Sequence, residues 1–270
     1  MQLKFWGVRG SIPTPIPGHL GFGGNTTCLE VRTSDGVVIL DAGSGVRELG
    51  RCLQAEFGQP SIELNFLMTH FHWDHIQGLP FFAPLYSPGA RITFHSTHSP
   101  QHLRSILGAQ MAKPYFPVEF EDSPSRKTYI QLGRTPFRQF GITAHPFPLS
   151  HPQGATGYRI ESEGAVITHA SDLEHGNEKL DKTLREYAQN ADVLIYDAQY
   201  TPEEYVSQKG WGHSTWLEAA KVARESRVTR LILFHHDPRH DDQIMQRIVD
   251  EARKHFENTE VAREGLEIAL

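Results

Sequence analysis

An apolar run, IELNFLMTH at residues 62–70, leads directly into THFHWDH at residues 69–75. The run has the length and composition of a buried strand. Whatever the chain folds into must close the end of that strand around three imidazoles and a carboxylate. In a strand, His70 and His72 point to the same side, because the side-chain period is two. Both can then grip one cation through imidazole nitrogen. Asp74 and His75 fall in the turn that starts the next helix and project in another direction. That predicts two adjacent metal positions rather than one. Neutral imidazole with carboxylate suits zinc, with manganese or iron as alternatives. A surface histidine patch before a helix N-cap would explain a lone His-x-His, but not His-x-His-x-Asp-His at a strand end.

The rest of the chain reads as strands alternating with helices. LKFWGV, TCLEVRT and GVVILDAG are strands, the last ending at Asp41. A helix is predicted from Gly45 to Phe57, with Val46, Leu49 and Leu53 on one face and Gly58 with Pro60 closing it. RITFHS is a strand and SPQHLRSILGAQM a capped helix. KPYFPVEFEDSPSRK, within a segment at 108–130, is a Pro-rich excursion, read as a lid or a substrate-facing loop in which Tyr115 caps a base. Strands resume with FGITAHPFPLSH, ATGYRIES and GAVITHASD. Helix 178–188, strand DVLIYDAQ, helix 214–225, strand RLILFHH and a helix over about 240–256 complete the chain. Each half is strand-rich and then helix-bearing. The expected class is therefore α/β: two mixed sheets packed face to face with helices outside, an αβ/βα sandwich forming a single domain over 1–270.

Composition narrows the partners. With 26 Lys+Arg against 32 Asp+Glu, the formal charge is −6, which makes no case for nonspecific nucleic-acid binding. Two cysteines, Cys28 and Cys52, form no disulfide framework and are expected to be reduced and semi-buried. No signal peptide and no run long enough to span a membrane is visible, so a cytoplasmic location and no membrane partner are expected.

THFHWDH resembles the signature of the metallo-β-lactamase superfamily of binuclear hydrolases, and other elements match in order: Asp41 in ILDAG before it, then His151 in PLSHPQGATGYRI, Asp172 in ITHASD and His235 in LILFHHDP after it. The resemblance implies the four-layer sandwich and two divalent ions, zinc first. It implies that His70, His72 and His151 hold the first ion, Asp74, His75 and His235 the second, and that Asp172 bridges them together with a water or hydroxide. Asp74 would also orient or deprotonate the nucleophile. His151 is preferred to His145 for its Gly-rich context. His235 is preferred to His236, since adjacent strand residues face opposite ways; His236 is left to line the substrate pocket. His169 is read as packing.

An aspartate at position 172 resembles the phosphodiesterase, nuclease and thioesterase branches, and His72 argues against the redox branch. The tail, YDAQYTPEEY, GHSTWLEAAKVA and RLILFHHDP, resembles the ribonuclease Z and cyclic-phosphodiesterase group, which implies that Asp197 holds His213 as general acid for the leaving oxygen. FWGVRGSIP and GFGGNTTC resemble phosphoribosyl cyclic phosphodiesterase-like proteins. There Arg9, Ser11 and Asn25 could meet phosphate oxygens, with glycines allowing close backbone approach. No long basic arm is present. A binuclear phosphodiesterase acting on a small or cyclic phosphodiester is therefore expected, with nucleic acid not expected as a partner. The alternatives are a ribonuclease Z-like nuclease or a lactone or thioester hydrolase. A homodimer is implied by the resemblance alone.

Overall fold

The computed structural model describes residues 1–58, 62–133 and 135–270. The first sheet contains β1 (Gln2–Gly7), β2 (Cys28–Thr33), β3 (Gly36–Leu40), β4 (Glu63–Leu67), β5 (Arg91–Ser96) and β6 (Arg126–Gln131). The second contains β7 (Phe137–Gln139), β8 (Ile142–Leu149), β9 (Ala155–Ser162), β10 (Ala165–Ala170), β11 (Val193–Asp197), β12 (Arg230–Phe234) and β13 (Thr259–Val261). The last strand, β14 (Glu267–Ala269), returns to the first sheet beside β1. Within each sheet the sequence order is otherwise the spatial order. Strands β3 to β6 run parallel, as do β10 to β13, while the outer hairpins are antiparallel.

Period-two alternation divides each central strand between two cores. On β3, Val37 and Ile39 face helices while Val38 and Leu40 face the other sheet. On β12, Leu231 and Leu233 face helices while Ile232 and Phe234 face inward. Strands buried on both faces read as continuous apolar runs, and that is how these appear in the sequence. The helices cover the outside: α1 (Val46–Phe57) and α3 (Pro100–Ala109) on the first sheet, α4 (Glu178–Ala188), α6 (Trp216–Glu225) and α7 (Asp242–Arg253) on the second. Two short helices, α2 (Trp73–Ile76) and α5 (Pro202–Gln208), lie in the connections. Helix α1 buries Val46, Leu49, Gly50 and Leu53, a single stripe. Each such Leu or Val contributes roughly 1.5–3 kcal/mol on burial. The result is the expected four-layer αβ/βα sandwich.

Some expectations shift. Pro60, assigned to the end of α1, lies outside the described residues; Gly58 takes the C-cap position with φ 67°. The Pro-rich excursion runs into β6, which pairs parallel with β5, and it is tied down by Phe120, which is buried in the outer core. Tyr115 on it is 79% exposed, and Phe116 packs edge-on against Phe81. Cys28 is buried and Cys52 exposed, both as free thiols. Among the described residues no helix is long and apolar enough to cross a membrane.

Candidate metal centre

Ligands bind an open parallel sheet in the crevice beyond the carboxyl ends of its strands. Here two such crevices meet. Strand β3 ends just before Asp41, the chain runs on from β4 to His70, β10 ends shortly before Asp172, β11 ends with Asp197 and β12 just before His235. Asp41, Asp172 and His235 each turn off their strand with φ near +60° (59°, 63° and 63°). Left-handed backbone is costly for residues bearing a Cβ and is retained where surrounding structure enforces it. Gly10 lies against the same spot. A Cβ there would sit 2.5 Å from the His235 ring, so the glycine serves contact with His235.

The side chains fall into three groups, within each of which the ligand atoms lie within 4.8 Å of one another: His70, His72 and His151; Asp74, His75, Asp172 and His235; and Asp172, Asp197, His213 and His235, the last two sharing Asp172 and His235. Asp172 lies among them. Its Oδ2 is 3.2 Å from His75 Nε2, and its Oδ1 is 3.3 Å from His235 Nε2, 3.8 Å from His70 Nε2 and 4.0 Å from His151 Nε2. His70, His72, His75, His151 and His235 each use the other nitrogen on an acceptor outside the cluster. His75 Nδ1 donates to Asp41 Oδ2 at 2.8 Å, His151 Nδ1 to Gly212 O at 2.8 Å and His235 Nδ1 to Gln199 Oε1 at 2.9 Å. His72 turns Nε2 to Gln153 Oε1 at 3.3 Å. Thr69 Oγ1 donates to Asp41 Oδ2 at 2.7 Å and so accepts from His70 Nδ1 at 3.1 Å. Outer partners of this kind fix which nitrogen of a metal-binding histidine stays unprotonated.

These residues fit divalent cations. His70 Nε2 is buried, points into the cluster and has no hydrogen-bond partner, while the buried His75 Nε2 faces carboxylate oxygens of Asp172 and Asp74 at 3.2 and 3.5 Å. Burial, reinforced by neighbouring imidazoles, holds His70 well below the usual histidine range, so it is a neutral ligand. Burial opposes ionisation of Asp74 and Asp172, but the surrounding histidines outweigh it and hold both carboxylates well below their usual range. Burial likewise opposes charge on His75, and Asp172, Asp74 and Asp41 reverse that, raising it well above its ordinary value. The fold therefore calls for positive charge at the Nε2 of a fully buried ring, where a cation can supply it.

Beside the cluster, Asp197 Oδ2 accepts from His213 Nδ1 at 2.9 Å and from Asp172 N at 3.0 Å, while Oδ1 accepts from Gln199 N and Ser214 N. The His213 ring stacks on His235 at 5.0 Å between centroids. Burial works against its charge, but Asp197, then Asp172 and Asp74, push it up to about 9. Ser11 (φ 64°) donates its backbone N–H to Asp74 Oδ2 at 2.8 Å and lines a cavity with His213.

Three proposed phosphate or pocket contacts do not face the site. Arg9 is wholly buried and spends its guanidinium on the carbonyls of Gly23, His19, His240 and Asp237. Asn25 donates to Glu264 Oε2 and accepts from Ser44 Oγ. His236 is buried, with Nε2 donating to Ala262 O. Arg9 thereby binds the N-terminal loop to the segment after β12, and Asn25 ties it to Glu264 after β13. His145 lies away from the cluster, 3.9 Å from Glu161, and His169 is buried against Phe234, as a packing residue should be.

Several supporting residues escaped the sequence reading. Thr69, Gln153 and Gln199 are among them. Glu174 is another: Oε1 accepts from Tyr205 Oη and Gly210 N, and Oε2 from Gly212 N. Burial alone would raise that carboxyl, but the two backbone N–H groups hold it below its usual range. Gly212 has φ +88°, and a Cβ on it would come within 2.6 Å of His151 Nδ1.

The family model described as beta-lactamase superfamily domain matches residues 38–236. Ribonuclease Z of Thermoplasma acidophilum is 27% identical, with 99% of this chain and 95% of that protein covered. Among solved structures, the metallo-beta-lactamase fold protein YhfI from Bacillus subtilis superposes with a TM-score of 0.73 at 17% identity, covering 99% of this chain and 98% of that one. The short form of human tRNase Z gives 0.67 at 19% identity, with 100% and 99% covered. The expectation that nucleic acid is no partner does not stand against relatives that span the chain and are named ribonucleases. Net charge averages over the whole surface, whereas recognition depends on the local field at one face.

Proposed function

Because this chain belongs to the beta-lactamase superfamily, we propose that it is a metal-dependent phosphodiesterase of the ribonuclease Z kind, cleaving phosphodiester bonds in RNA. His70, His72 and His151 would hold one divalent ion, Asp74, His75 and His235 a second, with Asp172 between them. Such a pair, when bound, supplies activation of water and charge stabilisation on the phosphate oxygens. Zinc is the first candidate on donor chemistry, with manganese and iron behind it.

The observation that carries the reading is the 2.9 Å contact between Asp197 Oδ2 and His213 Nδ1 beside the cluster. In hydrolysis, a water oxygen bonds to phosphorus and the bond to the leaving oxygen breaks. An alkoxide leaves poorly, so it needs a proton in the transition state. Asp197 orients the imidazole, stabilises its charge and leaves Nε2 to deliver that proton. Asp74 orients the incoming water, its own oxygen being steadied by Ser11 N–H. Lactones and thioesters expel better leaving groups and need such an acid less.

A small or cyclic phosphodiester is the second reading. It is favoured by the segment after α3, which carries Glu119, Glu121 and Asp122 rather than a basic arm. The test compares 3′-extended RNA with a cyclic mononucleotide by kcat/KM, for wild type and His213→Ala. Loss of about 10²–10⁴ in His213→Ala on the preferred substrate is expected. Equal rates for wild type and His213→Ala would remove the general-acid assignment.

A further inference from the structure

A cavity of about 360 Å³ opens beside the metal centre, with His213 in one wall and Trp211, Tyr200, Gln208, Ser11 and Arg239 in the others. Trp211 is 65% exposed. An exposed indole is ordinarily mobile, but this one stands on a pinned loop. The peptide N–H groups on either side of it, of Gly210 and Gly212, both end on the Glu174 carboxylate, at 2.7 and 3.0 Å. Trp211 N–H donates to Gln208 O at 3.1 Å. Gly212 O in turn receives His151 Nδ1–H, so the same short loop orients a proposed metal ligand and carries His213. Glu174 holds the loop in place and belongs neither to the cavity's lining nor to the three side-chain groups. An aromatic face held out to water on so fixed a backbone is preorganised, and little ordering entropy is lost when a flat ring settles on it.

Its position decides what ring that is. The oxygen that takes the proton from His213 belongs to the leaving group, so the group attached to it extends into the cavity His213 lines. We propose that Trp211 is the stacking platform for the nucleobase on the leaving side of the scissile phosphodiester, with Gln208, Ser11 and Arg239 as polar neighbours. The proposal rests on the phosphodiesterase reading above, and its test is chosen to separate the two. Base stacking on an aromatic side chain is worth about tenfold or more in affinity on alanine substitution.

The measurement is calorimetric binding to the metal-loaded protein of adenosine 3′- and 5′-monophosphate, each against the corresponding ribose phosphate. Wild type is expected to prefer one adenosine phosphate by about tenfold or more, Trp211→Phe to keep most of that preference, and Trp211→Ala to lose it. A preference unchanged in Trp211→Ala, or no preference in wild type, would overturn the platform. In parallel, dinucleotides with an abasic ribose on either side are hydrolysed, and the products identify the leaving side. The kcat/KM ratio of base-bearing to leaving-side-abasic substrate should fall about tenfold in Trp211→Ala. If wild type cleaves neither a dinucleotide nor a cyclic mononucleotide, the phosphodiesterase reading fails, and the binding ratios still decide the platform.

Discussion

At the residue scale, the supporting shell around each imidazole matters as much as the imidazoles themselves. Asp41 is fully buried and serves Thr69 N, Thr69 Oγ1 and His75 Nδ1 at once. Asp41→Asn keeps the shape but puts an N–H where one acceptor stood, so His75 loses the partner that sets its tautomer. Metal affinity should fall about 10–100-fold with the fold retained, read by competition with a chromogenic chelator. An unaltered affinity would mean that Asp41 only packs. A second prediction concerns His95, outside the cluster, whose Nε2 donates to Asn65 Oδ1 at 2.8 Å between the sheets. Burial lowers it to about 4. Above pH 6.5 it is neutral folded and unfolded alike and has no effect on the pH dependence. Between 6.5 and about 4 the unfolded chain binds a proton that the fold refuses, so stability falls by up to about 1.4 kcal/mol per pH unit from this group. His95→Gln should remove one proton's worth of that slope in urea titrations across the window. The converging residues were legible in the sequence because imidazoles and a carboxylate at a strand end have few other uses. Arg9, Asn25 and His236 were misread because a polar residue beside glycines looks the same in sequence whether it meets a ligand or the chain's own carbonyls.

At the scale of elements, the apolar runs and 3.6-residue stripes were enough to place the central strands and long helices. Helix 178–188 and strands 91–96 and 155–162 match residue for residue. What escaped was short or at the edge. Strands β13 and β14 have three residues each, too few for a period to show. Helix α5 carried a readable capping box, with Thr201 Oγ1 accepting from Glu204 N and Glu204 reaching back to Thr201 N, but buries no residue that would mark a stripe. The loop after it matters most, since it joins Glu174, His151 and His213. Gly212→Ala would force a Cβ against the His151 ring at a backbone angle alanine resists. The expected result is loss of the ion proposed for His70, His72 and His151 before the other, seen as roughly one ion per chain by elemental analysis. Retention of both ions would show that the loop can give way without moving His151.

At the scale of the whole molecule, the centre lies on the seam between the sheets. Asp41, His70, His72, Asp74 and His75 come from the first sheet's end, and His151, Asp172, Asp197 and His235 from the second's. Cations there would join the two sheets and relieve the repulsion among buried carboxylates. Chelation is therefore expected to lower the melting temperature and re-addition of zinc to restore it, with the shift growing with free metal. A melting temperature indifferent to chelator would count against cations on the seam. The two-sheet plan itself was visible in the repeated succession of strands and then helices. The convergence of both crevices on one point was not, because it depends on how the sheets face each other.

The most direct single test is metal content measured together with phosphodiester turnover, on wild type and His213→Ala after loading with zinc or manganese. Two divalent ions per chain are expected in both proteins, with His213→Ala losing about 10²–10⁴ in kcat on an RNA phosphodiester. One ion or none per chain in the loaded wild type, or equal turnover by the two proteins, would contradict the proposed function.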